Sequence, residues 1–178
     1  MTRALVIFES MFGNTEAIAR AIGDGLAASM DVDVRDVCQA PAALPDAIDL
    51  VVGGGPTHAF SMSRPSTRAD AVKQGAAVAR PEIGLREWLD RLPTDSHGAP
   101  PFATFDTRVD KVRRLPGSAA RKAARVARAH GCATLASESF YVTDTAGPLV
   151  DGELGRAREW GRRLAAHPRL RVADDVTE

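Results

Sequence analysis

FESMFGNTEAIARAIGDGL, residues 8–26, closes an apolar run and opens a helical one. The run from Ala4 to Phe8 stops at Glu9 and passes into a polar, glycine-containing loop, Ser10 to Thr15. A helical period follows at once. Ile18, Ala21, Ile22, Gly25 and Leu26 recur at i, i+3, i+4, i+7 and i+8, forming one apolar stripe. The junction has chemical consequences. Loop N–H groups and the unpaired N–H groups of a helix's first turn converge on one point, and the helix dipole makes that point favourable for an anion. Ser10, Asn14 and Thr15 offer side-chain donors, and Gly13 lets the backbone bend close. The same residues suit a plain N-cap, with Asn14 or Thr15 starting the helix and Glu16 in its first turn. This stretch alone leaves both readings open.

The strand-then-helix unit recurs along the chain. Residues 3–9, 32–37, 48–54, 102–106 and 133–142 read as strands; the first, third and last hold continuous runs of apolar or small residues, as strands buried on both faces should. Leu85, Trp88, Leu89 and Leu92 make a second helical stripe, with Pro81 at its first turn. Ala120, Ala123, Ala124 and Ala127 make a third, opposed by Arg121, Lys122, Arg125 and Arg128 and stopped by Gly131. Leu154, Ala157, Gly161, Leu164 and Ala165 make the last, ahead of Pro168. The pattern predicts an α/β fold, a doubly wound five-stranded parallel sheet between two helical layers. Residues 1–168 form one domain, and 169–178 form a tail in which LRV (170–172) is able to pack locally. In such sheets ligands bind outside the carboxyl ends of the strands. That rule selects the loops at 10–15, 55–62, 106–110 and 143–149.

Two segments depart from a minimal five-repeat unit. Residues 38–47 are too rich in proline and alanine for a long second helix, and residues 61–80 are an insertion after the third strand. The insertion carries Arg64, Arg68, Lys73 and Arg80 against Asp70 alone. It reads as a short helix plus loop lying over the site, with Arg64 and Arg68 as solvated charges.

Composition narrows the function. Twenty-three basic and 23 acidic side chains leave no net charge, which argues against a dedicated nucleic-acid binder. No apolar run approaches the roughly 20 residues of a membrane span. The N-terminus reads as a first strand, not a signal peptide, and a cytoplasmic location is the simplest expectation. Cys38 and Cys132 read as small buried hydrophobes; His97, His130 and His167 read as solvent-facing. A Walker A loop is absent, and Pro56 and Thr57 break the dinucleotide-loop spacing in VVGGGPTHAF, residues 51–60. A receiver domain would need an acidic cluster after the first strand and an aspartate ending the third. A phosphatase of this architecture would need a cysteine in the first loop. Neither is present.

With SMFGNTE (10–16) after the first strand, GGPTHAFSMS (54–63) after the third and TFDTR (104–108) after the fourth, the chain resembles the flavodoxin family. The helix within GPLVDGELGRAREWGRRL, residues 147–164, is similar to that family's last element. The resemblance implies a flavodoxin-like sheet of order 2-1-3-4-5 and FMN as cofactor. It places the phosphate on Ser10, Met11, Phe12, Gly13, Asn14 and Thr15, through side chains and backbone N–H groups. It places the isoalloxazine ring between Pro56, Thr57, His58, Ala59 and Phe60 on one side and Thr104, Phe105, Asp106 and Thr107 on the other. Asp106 would accept from the ring or the ribityl hydroxyls. The implied function is electron transport with a redox protein partner. Two alternatives stand beside it. One is an FMN-dependent oxidoreductase reducing a quinone or other small-molecule acceptor, which the basic insertion favours. The other is a flavin-free interaction module, because Tyr141, Trp88 and Trp160 all lie away from the ring loops.

Overall fold

The computed structural model describes residues 1–45, 47–78, 80–94 and 99–171. Its strands are β1 (Arg3–Phe8), β2 (Asp31–Asp36), β3 (Leu50–His58), the short β4 (Ser61–Met62), β5 (Phe102–Val109) and β6 (Thr134–Val142). Its helices are α1 (Asn14–Leu26), α2 (Pro65–Lys73), α3 (Leu85–Leu89), α4 (Ala119–Ala129), α5 (Glu153–Ala165) and α6 (Pro168–Arg171). The long strands are parallel, in the spatial order β2-β1-β3-β5-β6. With β4 set aside, this is the expected 2-1-3-4-5 sheet. Strand order reverses between β1 and β3, which makes the loops after them the natural ligand edge.

Alternation along each strand divides the core into two layers. Val6 and Phe8 of β1 pack with Ile18, Ile22 and Trp160 under α1 and α5. Leu5 and Ile7 pack with Leu85, Leu89 and Ala123 under α3 and α4. Leu170 is buried in the α1/α5 layer. No helix among the described residues is long and apolar enough to cross a membrane.

Several boundaries move. β3 runs on to His58 and β5 to Val109, because Gly55 and Pro56 pair with Asp106 and Thr107 beyond the point where β1 ends. The chain then turns back as β4, which pairs antiparallel with Thr57 and His58. Helix α3 begins at Leu85, not at Pro81. Its N-cap is Gly84, whose N–H donates to Glu87 Oε2 at 2.9 Å. Among the described residues of 38–47 there is no α-helix, only a single 3₁₀ turn at Val37–Gln39. Trp88 of α3 reaches this segment, donating from Nε1 to Pro41 O at 3.0 Å.

The insertion holds the largest departure from expectation. Arg68 of α2 is fully buried, not solvated. Its guanidinium donates to Ser63 Oγ (2.6 Å), Pro81 O (2.5 Å) and Glu87 Oε2 (2.7 Å). Glu9, where the opening strand stops, accepts from Ser63 Oγ and from Leu85 N at 2.8 Å, with Arg68 Nη1 3.9 Å away. A buried guanidinium needs this many partners because its desolvation is otherwise uncompensated. The network ties α2 and α3 to the carboxyl end of β1. Arg64 remains exposed.

Helices α1 and α5 approach closely because both stripes include glycine. A methyl at Gly25 would overlap Arg158 O, and one at Gly161 would overlap Ile22 O. Gly25→Ala or Gly161→Ala therefore forces the helices apart; denaturant unfolding will show a loss of about 1–3 kcal/mol. Arg68→Met leaves Glu9 and Glu87 without their buried partner and costs about 3–5 kcal/mol in the same assay. Burial raises the pKa of Glu9 above its ordinary 4.5. The stability this contributes is full below pH 4.5 and is lost as pH rises through the folded-state value. The stability of Glu9→Gln relative to the native chain will therefore increase as pH rises from 4.5.

Candidate functional site

The opening loop ends in a bare helix N-terminus. The N-cap of α1 is Gly13, in the left-handed region at φ 84°, and no side chain caps the helix. Neither Asn14 nor Thr15 is the cap, because both side chains are used elsewhere. Asn14 Nδ2 donates to Ala146 O at 3.1 Å, drawing in the 143–149 loop. Thr15 Oγ1 lies 2.7 Å from Thr107 Oγ1, a buried hydroxyl pair joining α1 to the end of β5. Ser10 Oγ accepts from Gly13 N at 3.1 Å and closes the loop on itself. The insertion covers the loop from outside, with Ala77 N donating to Met11 O at 3.1 Å.

A cleft of about 200 Å³ opens at this edge. Met11, Phe12, Asn14 and Thr15 line it from the loop and helix, residues 56–59 from β3 and its turn, and residues 107–109 from β5. Val142 and Thr145 close the far side. Of the residues the sequence assigned, Ser10 and Gly13 face an adjoining cleft of about 400 Å³ shared with Glu16 and Asp36. Phe60 is 49% exposed and does not line the 200 Å³ cleft.

Thr104, Phe105 and Asp106 are fully buried beneath the cleft, because β5 continues past them. Thr104 Oγ1 donates to Ala120 O at 3.0 Å. The Phe105 ring occupies the space over Gly54 that a side chain there would need, and meets Phe140 edge-on at 6.4 Å. Asp106 Oδ2 accepts from Thr57 Oγ1 (2.9 Å) and Ala120 N (3.0 Å), fastening the start of α4 to the cleft floor. Its Oδ1 is buried without a partner among the described residues.

Arg108 is a cleft residue that reading the loops did not single out. It is 7% exposed, and its Nη2 donates to Val112 O (2.8 Å) and Leu115 O (3.1 Å). Its Nε is buried and unpaired among the described residues. The available signal was its place at the end of TFDTR, within the expected ring loop, where no role is assigned to it. Burial lowers the pKa of His58 below its ordinary 6.5, so the cleft meets a neutral imidazole at pH 7. Helix α2 adds a neighbouring cleft of about 290 Å³, where Thr67, Asp70 and Gln74 face Phe12 and His58. Trp88 and Trp160 are buried in the two core layers, and Tyr141 lies under the Arg156 guanidinium at 5.5 Å; none lines the 200 Å³ cleft. His130 and His167 are half-buried, and His97 lies outside the described residues.

No protein-family model and no curated protein matches the chain. Solved structures do. A short-chain flavodoxin associated with a non-canonical PDU bacterial microcompartment superposes with TM-score 0.62 at 15% identity, covering 93% of this chain and 99% of its own. A flavodoxin from the Archaea gives 0.60 at 18% identity, covering 93% and 97%. Flavodoxin 2 from Bacillus cereus, in its oxidised form, gives 0.60 at 17% identity, covering 93% and 99%. At these identities the likeness carries architecture, and it agrees with the strand order, the switch point and the two helical layers: the chain has the flavodoxin-like fold.

Proposed function

We propose that the chain binds FMN at the carboxyl edge of its sheet and serves as an electron-transfer protein of flavodoxin type. The observation that carries this reading is the uncapped N-terminus of α1, opening on a cleft whose walls combine polar and planar groups. Backbone N–H groups of the first turn are suited to a phosphate, since they are unpaired donors at the positive end of the dipole. Ser10, Asn14 and Thr15, with the backbone of Met11, Phe12 and Gly13, would hold that end. Pro56, Thr57, His58 and Ala59, with Thr107 and Arg108, would border the ring. Thr104, Phe105 and Asp106 would act from below, Asp106 by fixing Thr57. When bound, FMN supplies the redox chemistry, and the protein tunes it through charge and hydrogen bonding near the ring. Arg108 contributes a fixed positive charge to the cleft wall, which favours electron-rich forms of a bound ring.

A second reading is an FMN-dependent reduction of a small molecule. The cleft under α2, contiguous through Phe12 and His58, favours it by offering room beside the first. Consumption of NAD(P)H with a quinone present separates the two.

The purified chain is expected to take up one FMN that survives gel filtration and gives a flavin visible spectrum. A colourless chain after FMN addition overturns both flavin readings and favours an interaction module. Asn14→Ala, which removes one polar group at the phosphate end, is expected to weaken FMN by about tenfold while changing the thermal midpoint little. Arg108→Gln is expected to lower the reduction potential of bound FMN, read by dye equilibration.

A further inference from the structure

The neutral total conceals a polarised chain. Residues 1–53 hold eight acidic and three basic side chains, whereas residues 107–131 hold eight basic and one acidic, Asp110. Asp110 pairs with Arg113 at 3.4 Å. Lys111, Arg114, Arg121, Lys122 and Arg125 have no ion-pair partner among the described residues, and all but Lys122 are exposed. These cations lie on the turn after β5 and the outer side of α4, whose inner side is buried alanine.

Two large apolar side chains stand at the sheet-edge end of this basic surface. Phe60 is 49% and Leu115 47% exposed. They belong to segments in direct contact, because a methyl at Gly117 would strike the backbone and Cβ of Phe60. Phe60 is held there under strain. Ala59 and Phe60 are the two central residues of the β3–β4 hairpin, at φ 46° and 62°. Both angles positive is the two-residue hairpin turn that asparagine and glycine adopt easily. A bulky residue in that region is an outlier, and such strain persists only where surrounding structure offsets it. Thr57, which accepts from Ala119 N at 2.8 Å, and the antiparallel pairing of β4 supply that support.

An exposed aromatic and a leucine bordered by unpaired cations match the anatomy of a protein interface, an apolar centre with a charged rim. We infer that this surface, Phe60 and Leu115 with the basic loop and α4 face, docks an acidic redox protein beside the cleft. The redox character of the partner rests on the FMN reading above; its acidity rests on the surface alone. A protein surface fits better than nucleic acid, because the patch centres on apolar side chains and the rest of the chain carries a compensating negative excess.

The test titrates the full chain, with and without FMN, against an acidic plant-type [2Fe–2S] ferredoxin and a basic cytochrome c, by calorimetry. The ferredoxin is expected to bind, more weakly as ionic strength rises to about 0.15 M, and the cytochrome is not. Arg121→Glu with Arg125→Glu should weaken ferredoxin binding by about tenfold or more. Phe60→Gly relieves the turn, so it should keep or raise the thermal midpoint while weakening ferredoxin binding by about tenfold. Equal binding of cytochrome c, or variants that bind ferredoxin like the native chain, overturns the inference. So does tighter binding of duplex DNA or phosphatidylserine vesicles to the same residues. A chain that takes up FMN but not ferredoxin loses this surface and keeps the flavin reading. A chain that takes up no FMN yet binds ferredoxin, and loses that binding in the variants, keeps the surface and loses the flavin reading.

Discussion

Coverage of β1, β3 and β5 on both faces is the constraint from which the rest of the molecule follows. A strand in that position has no solvent to satisfy its backbone, so each N–H and C=O must find a neighbouring strand. Val6 and Ile7, Val51 and Val52, and Phe102 and Ala103 are all fully buried, alternately under the two helical layers. Polar chemistry is thereby expelled to the strand ends. At the carboxyl ends it meets the opening turn of α1, which no side chain caps.

That edge is organised by a few buried polar contacts, each crossing between elements distant in sequence. Thr15 meets Thr107, Asp106 joins Thr57 to the start of α4, and Glu9 reaches Ser63 and Leu85. In low dielectric such contacts are costly to leave half-made, so they lock the loops in one arrangement. Arg68 is the extreme case. Its charge, which looks like part of a basic surface in the sequence, is spent inside the protein on holding the insertion down. Cations without an ion pair among the described residues include Lys111 and Arg114 in the turn after β5 and Arg121, Lys122 and Arg125 on α4.

Charge is distributed unevenly along the chain, acidic over residues 1–53 and basic over residues 107–131. The β2 side is acidic and the α4 side basic, and the strained Ala59–Phe60 turn stands at the border between the cleft and the basic side. Strain in a hairpin tip has no packing benefit when its aromatic is half exposed. The inferred docking surface gives that strain a purpose, since it presents Phe60 beside the basic loop.

Element order and the strand–loop–helix junction at 8–26 were legible in the sequence, because apolar periodicity is a local signal; the strand pairing order was implied by the family resemblance, and the sheet has it. The expected glycines at 25 and 161 were legible as stripe positions, but their purpose, close approach of two helix backbones, appears only when α1 and α5 are packed. Likewise nothing local distinguished Thr104, Phe105 and Asp106 from a ligand loop; the pairing of β3 with β5 carried them into the interior and delivered Thr107 and Arg108 to the cleft instead. The sequence by itself determined the fold and the place of the candidate site, since burial and helix dipoles act on neighbouring residues. Tertiary structure decided which polar side chains face that site and which are consumed in the scaffold, since the partners of Glu9, Arg68 and Asp106 lie far along the chain.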